Sequence, residues 1–538
     1  MKQLLHMADG MYDEYLRDES RSVGWAEGIR FPRSEADVVE TLIQAHQERV
    51  PLTIQGARTG LAAAAVPHGG YILNLSQMNQ VLGLRQSEDG TFYLRVQPGI
   101  LLSQLNRMLE QKAFSTESWE GSSLQALSRF EANTWIFPPD PTETSASIGG
   151  MASCNASGAK TFHYGPTRCY IEALRVVTAD GDILSLRRGQ YRAEGRNFRL
   201  TTLGGAEIQG TLPDYSVPPV KSAAGYYVRE DMDLVDLFIG AEGTLGVITE
   251  LELRLVRKPA ERVGVTVFLE RQQDALELVR ALRSERLPAD IAPAPSPPLA
   301  IEFFDRRALA LLRVQQRTNP AFSQLQPLPD GEQTAVYTEF GAADTQQAME
   351  ILFWLGGLLE RLGGSEQNTW VALDAEKLEK LRFFRHACPE CVNIQVDLCR
   401  QKDPRITKLG TDMSVPSACL DETVAMYEQD LRRAGLTFVM FGHIGQNHLH
   451  VNVIPQSMEE YDRAKSLYLE WAKRISASGG SVAAEHGIGK LKVPFLKEMY
   501  TEEQLKQMIA LKALFDPFWL LSPGNIFSSD DTSKAVSA

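Results

Sequence analysis

The chain has 538 residues, and its 55 Lys and Arg against 68 Asp and Glu give a formal net charge of −13. At about 150 residues per domain, this length predicts two to four domains. The acidic balance argues against a nucleic-acid partner, since such a partner requires clustered Lys and Arg. No apolar run approaches the ~20 residues of a membrane-spanning helix. Six cysteines are too few for a disulfide framework in a chain of this length, so we expect reduced thiols and a cytoplasmic location.

The first half of the chain predicts short strands separated by glycine turns. Residues 50–56 and 91–99 have strand composition and end in glycine. Residues 173–186 predict a hairpin around Asp180-Gly181, a dipeptide suited to a two-residue turn. Leucines at 251, 253 and 255 alternate with charged residues, which predicts a half-buried strand.

Composition also indicates where the chain divides. The polar stretch at about 187–219 predicts a surface insertion. The Lys258-Pro259 step marks a domain boundary, and the prolines between Pro288 and Pro298 predict an extended connector. Residues 341–367 and 459–476 have the periodicity of long helices.

Three segments are rich in glycine and small side chains. Residues 55–60, QGARTG, follow a predicted strand. Residues 138–168 and 238–249 have a similar composition. Backbone N–H groups approach a pyrophosphate closely where no Cβ intervenes. For the first segment alone an ordinary turn is the favoured interpretation, and the segment fits neither the Rossmann nor the Walker pattern.

Four of the nine histidines fall between His443 and His486. In a strand, His448, His450 and Asn452 project to one face. Glu485 and His486 follow about forty residues on, in the loop AAEHGIG. Two imidazoles and a carboxylate with one open position are what a catalytic Zn²⁺ or Mn²⁺ site requires. For any single histidine, a surface position on the strand is the alternative.

Residues 55–67, 139–168 and 240–249 resemble the FAD-contacting segments of vanillyl-alcohol-oxidase-type (PCMH-type) flavoproteins. The motifs FGHIGQNHLHVNV, SVAAEHGIG and DPFWLLSPGNIF are similar to those of the D-2-hydroxy-acid dehydrogenase branch. The resemblance implies an α+β fold. It comprises a two-subdomain FAD-binding domain at 1–256, an α+β substrate cap with an antiparallel sheet at 257–500, and a helical C-terminal segment at 501–538 that returns to the FAD domain.

The resemblance also implies roles for the residues of the second half. It assigns His443, His450 and Glu485 as metal ligands and His486 as the active-site base. Asn452 is implied as a substrate contact, and Arg385 and Lys408 as the cations that hold the substrate carboxylate. For each of these two cations, a solvated surface charge is the alternative.

One departure concerns the turn before the histidine strand. Relatives usually read H-x-G-D-G-N-L-H, whereas Gln446, Asn447 and His448 replace D-G-N here. The loss of an acidic residue and the gain of an imidazole leave the metal and the number of its ligands open. The chain also contains Cys388 and Cys391 in a C-x-x-C pattern, for which ordinary buried thiols are favoured over a redox pair.

The cofactor implied by the resemblance is FAD. We expect it to be non-covalent, since QGARTG contains neither His nor Cys. Relatives usually carry Asn where Ser522 stands, so this contact is expected to be weaker or to be made by Asn525. The implied FAD-binding residues are Gln55, Gly56, Ala57, Arg58, Thr59, Gly60, Pro139, Asp140, Thr142, Ser145, Gly149, Gly150, Ser153, Asn155, Gly158, Tyr164, Glu242, Gly243, Gly246, Val247, Ile248 and Asn525.

The implied activity is metal-assisted oxidation of a D-2-hydroxy acid of the D-lactate, glycolate or D-2-hydroxyglutarate class to the 2-oxo acid, by hydride transfer to flavin. The chain has no nicotinamide, iron–sulfur or haem motif, so a separate quinone, electron-transfer flavoprotein, cytochrome or oxygen must accept the electrons. The resemblance allows a homodimer and peripheral membrane association. The alternatives are an FAD-linked oxidase of another alcohol, a flavin-binding subunit of a larger complex, and a metal hydrolase.

Overall fold

The computed structural model describes residues 5–6, 10–331, 333–528 and 531. Apart from Asp531, the predicted C-terminal segment is therefore described only up to residue 528. Among the helices of the described chain, we find none with the length and apolar character needed to cross a membrane.

The strands are mostly short in the first half and longer in the second. In chain order they are β1 Leu5–His6, β2 Gly28–Arg30, β3 Leu52–Gln55, β4 Tyr71–Asn74, β5 Val81–Gln86, β6 Phe92–Val96, β7 Trp135–Ile136, β8 Ile171–Val177, β9 Ile183–Arg187, β10 Asn197–Thr201, β11 Glu207–Thr211, β12 Val247–Arg254, β13 Val256–Arg257, β14 Glu261–Leu269, β15 Pro298–Phe304, β16 Thr334–Ala342, β17 Thr369–Ala372, β18 Leu409–Gly410, β19 Met413–Ser414, β20 Phe438–Gly442 and β21 His448–Val453.

The helices show the same bias, and the longest ones lie in the second half. They are α1 Glu35–Glu48, α2 Leu102–Gln111, α3 Gly121–Arg129, α4 Ile148–Ser153, α5 Thr161–Tyr164, α6 Val235–Phe238, α7 Gln272–Leu282, α8 Arg306–Thr318, α9 Thr345–Arg361, α10 Ala375–Lys402, α11 Leu420–Arg433, α12 Met458–Ala477, α13 Val493–Met499 and α14 Glu502–Phe515. The two long helices predicted from periodicity correspond to α9 and α12.

Two larger sheets are built from the first half. One has the order β1-β2-β4-β3, and the other the order β5-β6-β12-β8-β9. The predicted hairpin joins β8 to β9, and Gly181 takes a φ of 91° in its turn. In β12, Leu251 and Leu253 are fully buried, as the alternation predicts.

The polar stretch at 187–219 has more structure than an open surface loop. It contains the antiparallel hairpin β10–β11. Phe198 and Leu200 point inward from β10 and are buried, while Asn197, Arg199 and Thr201 are exposed. The stretch is rich in polar residues because one face of this two-stranded sheet is exposed to solvent.

The second half forms one eight-stranded sheet, with the strand order β17-β14-β16-β15-β20-β21-β18 and β19 paired to β21. All its strand pairs are antiparallel. Helices α7 and α9 pack against one face, and α8 and α10 against the other. Strand β21 and the end of β20 carry the histidine motif, so the sheet sets the spacing of these side chains.

The C-terminal segment packs back onto the first sheet. The N–H of Leu52 donates to the carbonyl of Leu520, and the N–H of Ser522 to the carbonyl of Leu52, each at 2.7 Å. Lys512 on α14 donates to the carbonyl of Thr244 at 2.6 Å. Residues 520–522 thereby cover the β3 edge of the first sheet.

Candidate active site

The three glycine-rich segments meet in space. The N–H of Ala57 lies 3.3 Å from Ser147 Oγ, which joins the first segment to the second. The N–H groups of Gly240 and Glu242 donate to the carbonyls of Ala152 and Ser153, at 2.9 and 2.8 Å, which joins the second to the third. The segments thus form a single loop cluster.

Several glycines of this cluster lie so close to neighbouring protein atoms that a Cβ would not fit. A Cβ on Gly56 would lie 2.1 Å from Ser147 Oγ, and a Cβ on Gly158 would lie 2.0 Å from the Asp140 carbonyl. Ser157 Oγ and Ser522 Oγ are buried there without a hydrogen-bond partner among the described residues. The glycines thus let the loops pack closely on one another, and the two unsatisfied hydroxyls beside them fit a bound polar group such as FAD.

Some of the implied FAD-binding side chains bind the protein itself. The Gln55 amide donates to the carbonyls of Tyr15 and Ala65, at 2.8 and 2.7 Å. The Asn525 amide donates to the carbonyls of Ala64 and Glu242, both at 3.1 Å. These two side chains shape the loops and have few polar atoms left for a ligand.

The other implied FAD-binding residues differ in exposure. Asn155 Oδ1 accepts the N–H of Arg168 at 3.0 Å, and Arg58 pairs with Glu14 at 3.0 Å. Thr142 and Ser145 are exposed. Residues within the loop cluster that are buried or half-buried include Ala57, Thr59, Pro139, Gly149, Gly150, Ser153, Tyr164, Gly243, Gly246, Val247 and Ile248.

The histidine motif forms a compact group with Glu485. His443 Nε2 lies 3.2 Å from Glu485 Oε2, His448 Nδ1 lies 3.7 Å from it, and His450 Nε2 lies 3.9 Å from it. One ligand atom from each of the four residues falls within 4.8 Å of all the others. Ligands held ~2.1 Å from a tetrahedral ion are roughly 3.4 Å apart, so these residues fit a divalent metal.

The second ring nitrogens of the histidines are held by the protein. His443 Nδ1 lies 2.7 Å from Glu302 Oε1, and His450 Nδ1 lies 2.9 Å from the Thr411 carbonyl. Both arrangements place a proton on Nδ1 and leave Nε2 facing Glu485. This is the usual way in which metal-binding imidazoles are oriented.

Burial and neighbouring charges set the protonation of the group. Burial lowers the pKa of His448 to about 4, with Asp412 opposing, and lowers that of His450 well below its usual range. Burial would also lower the pKa of His443, but Glu302 and Glu485 outweigh it and raise the value to about 9. His448 and His450 are therefore neutral, the form that binds metals, whereas His443 must lose a proton to bind one.

Asp412 fixes the loop that carries His486. Its carboxylate accepts the N–H groups of Glu485 and His486, at 3.1 and 3.0 Å. His486 Nδ1 lies 3.6 Å from Asp412 Oδ2, which favours a proton on Nδ1 and leaves Nε2 as a base. Burial, with Lys492 adding to it and Asp412 opposing, lowers the pKa of His486. The His486 ring is stacked on the His450 ring, with their centroids 5.5 Å apart.

Arg385 reaches the site from α10. Among the described residues, no carboxylate lies within 4 Å of its guanidinium, and its Nε is buried without a hydrogen-bond partner. Burial would lower the pKa of Arg385, but Glu302, Tyr337 and Asp140 outweigh it and raise the value. A guanidinium with free donors can take a ligand carboxylate in a bidentate manner.

The remaining implied substrate contacts are placed differently. Asn452 is buried on β21 on the same side as His450. Lys408 Nζ donates to Asn393 Oδ1 on α10 at 3.2 Å. One of its three N–H donors is therefore already in use.

The altered turn contributes directly to the group. Asn447 takes a φ of 53°, which asparagine tolerates better than most residues, and its side chain donates to Ser417 at 3.1 Å. His448 is fully buried, with Nε2 lying 3.1 Å from Asp412 Oδ1. The imidazole that this sequence adds is therefore a fourth candidate ligand.

Three further residues complete the site, and their local sequences gave weak signals. Glu302 is the one acidic residue in the apolar strand PLAIEFF, a pattern that asks for a buried partner. Asp412 lies four residues after Lys408 and has no distinguishing sequence pattern of its own. Lys221 follows a polar, proline-rich stretch and lies 3.4 Å from Glu485 Oε2 with only 3% of its side chain exposed.

Known proteins resemble this chain along nearly its whole length. It is 26% identical to a D-lactate dehydrogenase of Anaerostipes hadrus, over 97% of this chain and 94% of that protein. The identity is also 26% to glycolate oxidase subunit GlcD of Bacillus subtilis, over 94% and 90%, and to a D-2-hydroxyglutarate dehydrogenase of Stutzerimonas stutzeri, over 93% and 91%. A solved alkyldihydroxyacetonephosphate synthase shares the fold, with a TM-score of 0.58 at 14% identity, covering 93% of this chain and 77% of the other.

Two family models match successive parts of the chain. The model described as the FAD binding domain matches residues 26–119 and 118–187. The model described as the C-terminal domain of FAD linked oxidases matches residues 258–526, half of the chain. With the loop cluster that fits a flavin, these matches show that the chain belongs to the family of FAD-linked oxidases.

Proposed function

We propose that this flavoprotein oxidises a D-2-hydroxy acid of the D-lactate, glycolate or D-2-hydroxyglutarate class to the 2-oxo acid. The observation that carries the proposal is the placement of His486 beside the histidine–glutamate group, in a loop that is hydrogen-bonded to the third glycine-rich segment. Glu242 of that segment accepts the N–H groups of Ile488 and Gly489, both at 2.7 Å. The names of the relatives support the substrate class.

The oxidation removes two hydrogens from the substrate. The C2 hydrogen leaves as a hydride, and the hydroxyl hydrogen leaves as a proton. In the proposal, Nε2 of the neutral His486 takes that proton, while Asp412 stabilises the resulting imidazolium through Nδ1. Arg385 holds the carboxylate and so fixes C2 and its hydroxyl relative to His486. Asn452 and Lys408 are proposed to complete the binding site.

The cofactors are assigned to the residues that fit them. FAD is proposed to bind non-covalently on the glycine-rich loop cluster, where its isoalloxazine supplies the electron-accepting chemistry. Cys154 is the cysteine within this cluster, and burial raises the pKa of its thiol to about 12, which disfavours a thioether link. A Zn²⁺ or Mn²⁺ on His443, His450 and Glu485 would supply Lewis acidity at the hydroxyl.

The proposal extends to the partners. A separate acceptor, such as a quinone, an electron-transfer flavoprotein, a cytochrome or oxygen, receives the electrons, and the protein acts in the cytoplasm as a homodimer or at a membrane surface. The domain boundaries at residues 256 and 500 remain those predicted from the sequence.

An anaerobic bleaching screen tests the activity. Purified holoprotein is mixed with short, long and dicarboxylic D-2-hydroxy acids and with their L-enantiomers, and flavin absorbance is followed. We expect at least one D-acid to bleach the flavin and its L-enantiomer to do so at least tenfold more slowly. Bleaching only by simple alcohols would favour an oxidase of another alcohol. A flavin that no compound bleaches would favour a non-catalytic subunit, and a colourless protein would favour a hydrolase.

A further inference from the structure

Lys221 differs from the other buried lysines near the loop cluster. Lys512 donates to the carbonyls of Thr244 and Leu521, at 2.6 and 3.2 Å, and pairs with Asp516. The ammonium of Lys221 is buried too, yet it has no hydrogen-bond partner among the described residues. An ammonium carries three N–H donors, and leaving them unmet in a buried site is costly.

The unmet donors face the histidine–glutamate group. Lys221 Nζ lies 3.4 Å from Glu485 Oε2. Its charge also acts on His443, His448 and Glu302, which places the ammonium on the side of this group. A single ion pair at this distance does not use the remaining N–H groups, which point to a ligand with oxygen acceptors.

The backbone around Lys221 is held rigidly. Its carbonyl accepts the Ser414 hydroxyl at 2.5 Å. The next two residues bind the loop that precedes Glu485: the hydroxyls of Ser222 and Ser481 lie 2.9 Å apart, and the N–H of Ala223 donates to the carbonyl of Ala483 at 2.8 Å. The backbone of Lys221 and the loop of Glu485 are thus held relative to each other, which suits a residue that must meet a substrate atom.

We propose that Lys221 is a further substrate-binding residue, whose ammonium donates to the oxygen on the reacting carbon of the 2-hydroxy acid. This inference rests on the function proposed above. As the hydroxyl proton passes to His486, negative charge grows on that oxygen, and the buried ammonium stabilises it. Arg385 then holds the carboxylate end, and Lys221 holds the hydroxyl end.

Oxalate titration of the holoprotein tests this role. Oxalate carries oxygens on adjacent carbons, like the 2-oxo acid, but it cannot be oxidised by hydride loss. Its binding is followed by the flavin difference spectrum and by calorimetry. We expect Lys221→Met to weaken oxalate binding at least tenfold and Lys221→Arg to recover part of the loss. FAD content and the melting temperature of each variant are measured alongside.

Lys512→Met is the matched control, because it removes a buried lysine whose donors are all used by the protein. It should lower the melting temperature and leave the oxalate affinity within twofold of wild type. If Lys221→Met does not yield folded holoprotein, Lys221→Gln removes the charge but keeps N–H donors, and it should also weaken binding.

A wild-type protein that does not bind oxalate, or folded neutral Lys221 variants that bind it within threefold of wild type, would overturn the inference. Failure of the proposed function has a different signature, namely a wild-type flavin that no D-2-hydroxy acid reduces. The oxalate titration does not depend on that reduction, so the two failures are separable.

Discussion

Glu242 accepts the backbone N–H of Ile488 at 2.7 Å, two residues after His486. Its other carboxylate oxygen accepts the N–H of Gly489 at the same distance. A side chain of the third glycine-rich segment therefore holds the loop of the proposed base. The position of His486 depends on this contact as well as on Asp412.

Glu242→Ala should disturb both the flavin loops and the base. It leaves two buried N–H groups unsatisfied, at roughly 1–3 kcal/mol each. We expect a lower melting temperature and a flavin-reduction rate at least tenfold below wild type. Glu242→Gln keeps one acceptor, so its melting temperature and reduction rate should lie between those of wild type and Glu242→Ala. Stopped-flow reduction and thermal unfolding measure these effects, and wild-type values for Glu242→Ala in both would contradict the coupling.

His486→Ala should lower the rate of flavin reduction by about a hundredfold to ten-thousandfold, the usual contribution of a positioned proton acceptor. FAD content should not change. Added imidazole should restore part of the rate, because it can occupy the vacated space and take the proton. His68→Ala, at an exposed histidine outside the group, is the control. A near wild-type rate in His486→Ala would move the role of base to another residue, and His448 would be the next candidate.

Arg385→Ala should act on substrate affinity. Truncating one partner of a buried, hydrogen-bonded charge pair costs about 2–5 kcal/mol, so we expect the substrate dissociation constant to rise at least thirtyfold. The reduction rate at saturation should fall less. Arg382→Ala, one turn earlier and paired with Glu379 on the helix surface, should change neither. Saturation curves of the reduction rate separate the two parameters, and an unchanged dissociation constant would remove Arg385 from the site.

Chelation should suppress turnover and leave the flavin bound, because the proposed ligands lie outside the glycine-rich loops. Dialysis against EDTA should lower turnover at least tenfold, and Zn²⁺ or Mn²⁺ should restore it. Glu485→Ala should resemble the chelated protein and should not recover with metal. Full activity in a metal-free preparation, checked by elemental analysis, would refute the metal assignment.

Glu252 gives a stability effect that depends on pH. Its carboxylate accepts from Arg85 at 3.1 and 3.2 Å and from Arg187 at 2.6 Å. Burial would raise the pKa of Glu252, but the two arginines outweigh it and lower the value. The stabilisation is therefore complete above the unfolded-state pKa of about 4.3 and is lost as the pH falls through the lower folded-state value.

Glu252→Gln should thus reduce the free energy of unfolding at pH 7 by about 1–3 kcal/mol. The difference from wild type should shrink below about pH 4, where the wild-type carboxylate also becomes neutral. Chemical denaturation at pH 7 and at low pH measures it. A difference of constant size across this range would mean that the charge of Glu252 is not responsible.

The histidine strand shows how far the sequence alone could lead. The period of two correctly placed His448, His450 and Asn452 on one side of β21, because register within one strand is a local property. The resemblance also implied that His443 and Glu485 share one site, and the two side chains lie 3.2 Å apart. The family and its fold followed from the same motifs and are confirmed.

Lys221, Glu302 and Asp412 could not be found in this way. They come from three separate parts of the chain and reach the site only through long-range packing. A lysine in a loop is normally solvated, and nothing near residue 221 in the sequence indicates burial. The side chains of Gln55 and Asn525, which the resemblance implies as FAD contacts, donate to backbone carbonyls of the loops, and these bonds also depend on long-range packing.

The pairing of Leu52 with residues 520–522 has a consequence for synthesis. Strand β3 is made early, but its partner emerges almost at the end of translation, roughly half a minute to a minute and a half later at ~5–20 residues per second. Until then one edge of the first sheet is open, and the loop cluster beside it lacks Ser522 and Asn525. The nascent chain can therefore complete its eight-stranded sheet before its flavin site. A stop codon just upstream of residue 520 would produce a protein with the histidine group intact and no closed cradle for FAD.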